Sequence, residues 1–99
     1  YGGTHNLLGV SLKKLGIDVD FVDQDLPAEE ILKFARPNTK AVFGESLGNP
    51  ALSVLDFEKF SKVAREIGVP LVVDNTLATP ALCRPLELGA DILIQSTTK

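Results

Sequence analysis

The stretch that decides the fold runs from Pro70 to Thr76 and has the sequence Pro-Leu-Val-Val-Asp-Asn-Thr. Its short apolar run, rich in β-branched residues, is typical of a strand that is buried on both faces. An acid, an amide and a hydroxyl follow the run directly, at Asp74, Asn75 and Thr76. Because ligands bind beyond the carboxyl ends of the strands in open parallel sheets, the stretch predicts a buried strand with a ligand site at its end.

Helices and short strands alternate on either side of this stretch. Two further strands are predicted at 40–45, which we expect to be buried, and at 91–95. Helical spacing predicts helices at 4–15, at 27–36 with Pro27 in the first helical position, and from an N-cap at Asp56 to Gly68. A looser helical turn is predicted at 81–88 and a short extended run at 19–22. This alternation is typical of an α/β fold with a mainly parallel sheet.

The composition limits the classes of partner. Hydrophobic residues make up 44% and charged residues 23% of the chain, as in ordinary globular proteins. The net charge is −3 and the ten basic residues are scattered among acidic ones, which argues against a nucleic acid or a membrane surface as partner. The single cysteine cannot form an internal disulfide, so we expect a cytoplasmic location.

The two ends of the chain do not resemble domain boundaries. The chain contains no methionine, begins on Tyr1 and stops at Lys99, directly after a strand-like run. Domain boundaries are normally polar and linker-like. We therefore expect residues 1–99 to be a fragment of a larger domain.

Polar residues also follow the other two predicted strands. The strand at 40–45 leads into a turn that contains Asn49, and the last strand leads into Ser-Thr-Thr-Lys at 96–99. If the three strands are parallel neighbours, Asn49, Asp74 and Lys99 lie at one edge of the sheet. This set of groups suggests a ligand that has a phosphate, a basic heteroatom and an electrophilic carbon.

Four segments resemble the Cys/Met-metabolism family of pyridoxal-phosphate (PLP) enzymes, in the family's order and spacing and over essentially the whole chain. They are Tyr-Gly-Gly-Thr at 1–4, the stretch 45–50, the stretches 72–76 and 78–80, and Ser-Thr-Thr-Lys at 96–99. The resemblance implies part of the large PLP-binding domain of a fold-type I, aminotransferase-like enzyme, without its phosphate loop or its C-terminal domain. It also implies PLP as cofactor, an amino acid as substrate, no metal, and a homo-oligomeric parent, usually a tetramer.

Three residues take central roles by this resemblance. Lys99 would bind the cofactor covalently and later carry protons, and Asp74 would pair with the protonated pyridine nitrogen. Tyr1 would stack on one face of the cofactor, and it is expected to be catalytic together with Lys99. Asp74 alone would otherwise be taken for a helix-capping residue at a strand end, and Tyr1 alone for a surface residue.

Four more residues would complete the cofactor site. By resemblance, Ser96 and Thr98 would donate hydrogen bonds to the phosphate, Asn49 would bind the phenolic oxygen, and Thr76 would pack against the opposite ring face. Without the lysine, the hydroxyl residues and the asparagine would be interpreted as turn formers.

The segments at 1–7 and 44–50 look most like the O-acetylhomoserine sulfhydrylase branch, which replaces acetate by sulfide or a thiol to give homocysteine or methionine. Cystathionine γ-synthase, cystathionine γ-lyase and methionine γ-lyase remain alternatives. So do a non-catalytic α/β binding module, an inert fragment and a nicotinamide-binding domain. Gln95 and Leu77 depart from the histidine and phenylalanine that are usual in the family at these positions.

Overall fold

A three-stranded parallel sheet lies at the centre of the computed structural model, which describes all residues from Tyr1 to Lys99. Its strands are β1 (Val42–Glu45), β2 (Leu71–Asp74) and β3 (Ile92–Ile94), with β2 in the middle. In this register Glu45 lies opposite Asp74, and Asp74 lies opposite Ile94. The three carboxyl ends therefore meet at one edge, and the predicted α/β fold with a parallel sheet is confirmed.

Helical segments precede the sheet and connect its strands. They are α1 (Gly2–Asn6), which continues as a π-helical turn (Leu7–Ser11) and a 3-10 turn (Leu12–Leu15), then α2 (Ala28–Leu32), α3 (Phe57–Ile67), α4 (Thr79–Leu82) and a 3-10 turn (Pro85–Leu88). None of them has the length and hydropathy that a membrane-spanning helix requires.

The helix α3 covers one face of the sheet. Asp56 caps it as predicted, because its carboxylate accepts a hydrogen bond from the Lys59 amide at 2.9 Å. The helix ends at Gly68, which has a φ of 81°. Its apolar side joins a single hydrophobic core made of Ile31, Leu55, Phe60, Val63, Ala64, Leu71, Val73 and Ala90. Burial of this face holds the sheet beneath the helix.

The strands are less buried than predicted, because only the side chains of β2 that face α3 are fully buried. Leu71 and Val73 are fully buried under α3, but Val72 between them is only half-buried. All four residues of β1 are half-buried as well. The reason is that β1 is an edge strand and that this chain packs helices on one face of the sheet only.

Two predicted helical segments differ from the structure, one at its ends and one in its middle. Pro27 is the N-cap of α2 with an extended ψ of 151°, and the helix stops at Leu32 because the next turns tighten to i→i+3 hydrogen bonds. The turn predicted at 81–88 is interrupted at Cys83, which is extended. Arg84 is not helical either, with φ −119° and ψ 81°, and a proline at the next position disfavours the helical conformation there.

The run at 19–22 is not a strand, and it makes no ladder with any of the three strands of the sheet. Two contacts hold this segment instead. The Phe21 ring stacks on His5 at 4.5 Å, and Asp20 forms an ion pair with Arg36. The hydrogen bond to Asp20, and then the charge of that carboxylate, raise the pKa of Arg36.

Candidate active site

A cavity of about 410 Å³ opens at the carboxyl edge of the sheet. This volume lies within the usual range of sites for small molecules and cofactors. Its lining contains all the predicted site residues, which are Tyr1, Asn49, Asp74, Thr76, Ser96, Thr98 and Lys99. Glu45, Leu47, Leu77 and Thr4 complete the lining. The fold thus brings together side chains from both ends of the chain.

Asp74 stands at the end of β2 with its two carboxylate oxygens in different environments. Oδ1 accepts a hydrogen bond from the Thr76 amide at 2.9 Å, which fixes the side-chain orientation. Oδ2 makes no hydrogen bond within the chain, so it can accept one from a protonated ring nitrogen.

The hydroxyls at the ends of β2 and β3 form a short chain of hydrogen bonds. The Ser96 amide donates to Thr76 Oγ1 at 2.9 Å, and the Thr98 amide donates to Ser96 Oγ at 3.2 Å. Because Thr76 and Ser96 accept in these bonds, their own hydroxyl hydrogens remain available. The predicted phosphate contacts of Ser96 and Thr98 are compatible with this arrangement.

Asn75 holds the three strand ends in place, a role that the sequence reasoning missed. It is fully buried, and its amide donates to the Ile94 carbonyl at 2.9 Å. Its side chain donates to the Cys83 carbonyl at 2.9 Å and accepts from Ser46 Oγ at 2.7 Å. The only signal in the sequence is a polar residue directly after a buried strand, and a turn residue would look the same.

Glu45 is the second acid of the cavity, and the sequence reasoning assigned it no role. Its side chain is 18% exposed, and Oε1 forms an ion pair at 3.0 Å with the N-terminal amino group of the chain, on Tyr1. Because Glu45 and Asp74 are register partners on parallel strands, both side chains point to the same face of the sheet. Its position at a strand end, three residues after the apolar start of the strand, was the available signal.

The donor set of the cavity fits pyridoxal phosphate. Lys99 supplies an amine, Asp74 a partly free carboxylate, Ser96 and Thr98 hydroxyl donors, and Tyr1 an aromatic ring. These are the groups that a phosphorylated pyridine aldehyde requires.

A parallel α/β sheet with a lysine, an acid and hydroxyls at its strand ends defines the class of PLP-dependent α/β enzymes. The family model of the Cys/Met metabolism PLP-dependent enzymes matches residues 1–99. The chain belongs to this family, which confirms the predicted family and cofactor and removes the nicotinamide-binding domain from the alternatives.

Similar proteins agree with this assignment. The chain is 54% identical over 99 residues to the O-acetyl-L-homoserine sulfhydrylase of Leptospira meyeri, covering all of this chain and 22% of that protein. It is 46% identical over 99 residues to the cystathionine gamma-lyase of Bacillus subtilis, covering all of this chain and 26% of that protein. The chain thus spans about a quarter of the length of these relatives.

A solved structure is also similar over the whole chain. It is the crystal structure of a putative O-acetylhomoserine (thiol)-lyase from Campylobacter jejuni with N'-pyridoxyl-lysine-5'-monophosphate. The TM-score is 0.94 at 38% identity, over all of this chain and 24% of that one. The roles of the individual residues in the cavity remain predictions.

Proposed function

We propose that the protein containing this chain is an O-acetyl-L-homoserine sulfhydrylase, and that the cavity is its PLP site. The reaction replaces the acetate on the γ carbon of the substrate by sulfide, giving homocysteine and acetate; methanethiol in place of sulfide gives methionine. The observation that carries the proposal is that every residue predicted for the cofactor lines one cavity.

Three groups would act on the reacting centre. PLP, when bound, withdraws electrons from the substrate carbon that has lost its proton. Lys99 Nζ would hold the cofactor and, once free, take the proton from the α carbon and exchange a proton at the β carbon. Asp74 Oδ2 would hold a proton on the ring nitrogen, which keeps the ring electron-deficient. A proton delivered back by Lys99 completes the replacement after acetate has left and sulfide has added.

Five residues would bind and orient the cofactor. Ser96 Oγ and Thr98 Oγ1 would donate to its phosphate, and Asn49 would donate to its phenolic oxygen. Tyr1 would cover one face of the ring, and Thr76 would lie against the other. Orientation matters here because electron withdrawal requires the breaking bond to be aligned with the ring.

The assembly and location belong to the same proposal. We expect the enzyme to be a cytoplasmic homotetramer, as in the family that the chain resembles. Sedimentation equilibrium of the purified enzyme measures the oligomeric state directly, and a monomeric species would contradict this part.

Lys99→Ala tests the central residue in the full-length enzyme. We expect the visible absorption of the lysine-linked cofactor to disappear and turnover to fall below detection. Lys62→Ala, on the exposed side of α3, is the matched control and should keep both. An unchanged visible spectrum in Lys99→Ala would overturn the assignment of the cofactor lysine.

The choice of reaction needs a separate assay. Cystathionine γ-lyase is a second candidate, favoured by the similarity to the Bacillus subtilis enzyme. The sulfhydrylase assignment predicts homocysteine from O-acetylhomoserine and sulfide. No homocysteine, together with efficient cleavage of cystathionine or methionine, would favour a lyase instead.

A further inference from the structure

Ser46 and Asn75 form a buried polar pair next in sequence to two residues of the cavity, Glu45 and Asp74. Only 3% of Ser46 and 0% of Asn75 are exposed. Ser46 Oγ donates a hydrogen bond to Asn75 Oδ1 at 2.7 Å and lies 3.4 Å from the backbone oxygen of Asp74. Neither residue lines the cavity, and the proposed reaction assigns no role to either. A buried polar group is costly unless it is hydrogen-bonded, so loss of one partner would leave the other unsatisfied.

Ser46 stands at the base of the loop that carries Asn49, a residue of the cavity. Its amide donates to the Asp74 carbonyl at 2.9 Å, and its carbonyl accepts from the Leu55 amide at 3.2 Å. The chain thus leaves the sheet and returns to the same residue, and residues 46–55 form a closed loop. Because the loop is closed in this way, the position of Ser46 determines where Asn49 lies at the cavity.

Asn75 is a fixed point at the end of β2. Its amide donates to the Ile94 carbonyl at 2.9 Å, and its carbonyl accepts from the Thr79 amide at 2.9 Å. Its side-chain nitrogen donates to the Cys83 carbonyl at 2.9 Å. Both backbone groups are therefore engaged, and the side-chain amide cannot turn without losing the bond to Cys83 or the bond to Ser46. The oxygen that accepts from Ser46 is thus held in one place beside the strand end.

We propose that Ser46 and Asn75 are positioning residues for Asn49. Their hydrogen bond fixes the loop that carries Asn49 relative to the end of β2, where Asp74 stands. The inference rests on the proposed function, in which Asp74 binds the ring nitrogen of PLP and Asn49 its phenolic oxygen. These two atoms belong to one rigid ring, so the two side chains can bind both only at one separation. The buried pair acts through Asn49 and not on the cofactor.

Ser46→Ala in the full-length enzyme is the first test. It removes one hydroxyl and leaves Asn75 Oδ1 buried without its donor. We expect the dissociation constant of PLP to rise about tenfold and the visible circular dichroism of the bound cofactor to fall. Ser61→Ala on α3 is the matched control, because it removes a hydroxyl that is also buried, in a residue 4% exposed, and that donates within α3 to the Glu58 carbonyl at 3.2 Å. It should keep the wild-type affinity and spectrum. Equal PLP affinity in the two variants would overturn the proposal.

A double-mutant cycle with Asn49→Ala separates positioning from a general loss of structure. Asn49→Ala alone should weaken PLP binding, and Ser46→Ala should have no further effect in that background. Additive losses would show that Ser46 acts on the fold and not through Asn49, and wild-type affinity in Asn49→Ala would leave it no group to act through. Either result would overturn the proposal. If Ser46→Ala does not fold, Ser46→Cys, which keeps a weak donor of similar size, enters the same cycle with the same criteria.

The spectrum of Lys99→Ala separates failure of this inference from failure of the proposed function. If that variant keeps the wild-type spectrum, the proposed function itself is wrong. If it loses the spectrum while the cycle gives additive losses, only the positioning role is wrong.

Discussion

At the scale of single residues, the Thr76 hydroxyl joins the ends of β2 and β3 by accepting the Ser96 amide at 2.9 Å. The same threonine donates its own amide to Asp74 at 2.9 Å. Its position thus controls both the acid predicted for the pyridine nitrogen and the serine predicted for the phosphate. Thr76 was predicted only as a packing residue against the ring, and the hydrogen bonds add a second role.

Thr76→Val removes the hydroxyl and keeps the shape of the side chain. The half-buried Ser96 amide then loses its acceptor, which costs about 1–3 kcal/mol. We expect weaker PLP binding and a lower thermal midpoint of the full-length enzyme. Thr76→Ser keeps the oxygen and is the control. Wild-type affinity and midpoint in the valine variant would show that the bond is not needed.

The predictability of residues at the site differs with their chemistry. Asp74, Lys99 and the hydroxyls could be chosen because each follows an apolar run and has a group that PLP requires. Asn75 could not, because three of its hydrogen-bond partners are Ser46, Cys83 and Ile94, which lie in other elements of the fold. A polar residue after a strand is equally compatible with an exposed turn.

At the scale of elements, Gly68 and Gly89 are two of the three glycines that end helical segments in the left-handed region. Gly68 has a φ of 81° and Gly89 a φ of 103°. A Cβ on Gly68 would meet nothing within 4 Å, whereas one on Gly89 would lie 2.9 Å from Ser61 Cβ on α3. The positive φ favours glycine at both positions. At Gly89 the close contact with α3 also leaves no room for a side chain.

Alanine substitution distinguishes these two demands. Gly68→Ala should cost about 1–2 kcal/mol, the penalty of the left-handed conformation. Gly89→Ala should cost more, because it also pushes the 3-10 turn away from α3. Thermal unfolding of the two variants in the full-length enzyme measures the difference. A midpoint for Gly89→Ala at or above that of Gly68→Ala would contradict the packing argument.

Element boundaries were predicted less well than element types. The N-cap at Asp56 and the stop at Gly68 were predicted, because both signals are local. The segment 19–22 and the end of α2 were not. Apolar spacing does not reveal whether a neighbouring strand is free to pair, nor where helical hydrogen bonds tighten.

At the scale of the whole molecule, the sheet is covered on one face only. The core lies between α2, α3 and β2, and 13 of the 99 residues are buried. On the other face, Ile92 is 47% and Ile94 41% exposed. A sheet requires packing on its apolar faces, so this chain alone has a small stabilising core.

We therefore expect the isolated 99-residue chain to be inactive and marginally stable. The relatives are about four times longer. The isolated chain would therefore lack the contacts with cofactor and substrate that the rest of the protein supplies. Turnover of O-acetylhomoserine with sulfide by the purified chain, compared with the full-length enzyme at equal concentration, measures this. Measurable turnover by the isolated chain would refute the expectation.

The sequence by itself determined the alternation of helices and strands, the family, and which side chains stand at the strand ends. These follow from apolar spacing and from residue chemistry, which are local properties. Only the tertiary structure decided that β2 is central, that one face of the sheet is open, and that the stretch Pro70–Thr76 contains a strand of four residues, Leu71–Asp74, whose side chains are alternately buried. It alone revealed the bonds of Asn75 and Thr76 and the contact of Glu45 with Tyr1. The bonds between Asn75 and Ser46 and between Ser96 and Thr76 join residues 29 and 20 positions apart, and such partners are chosen by packing.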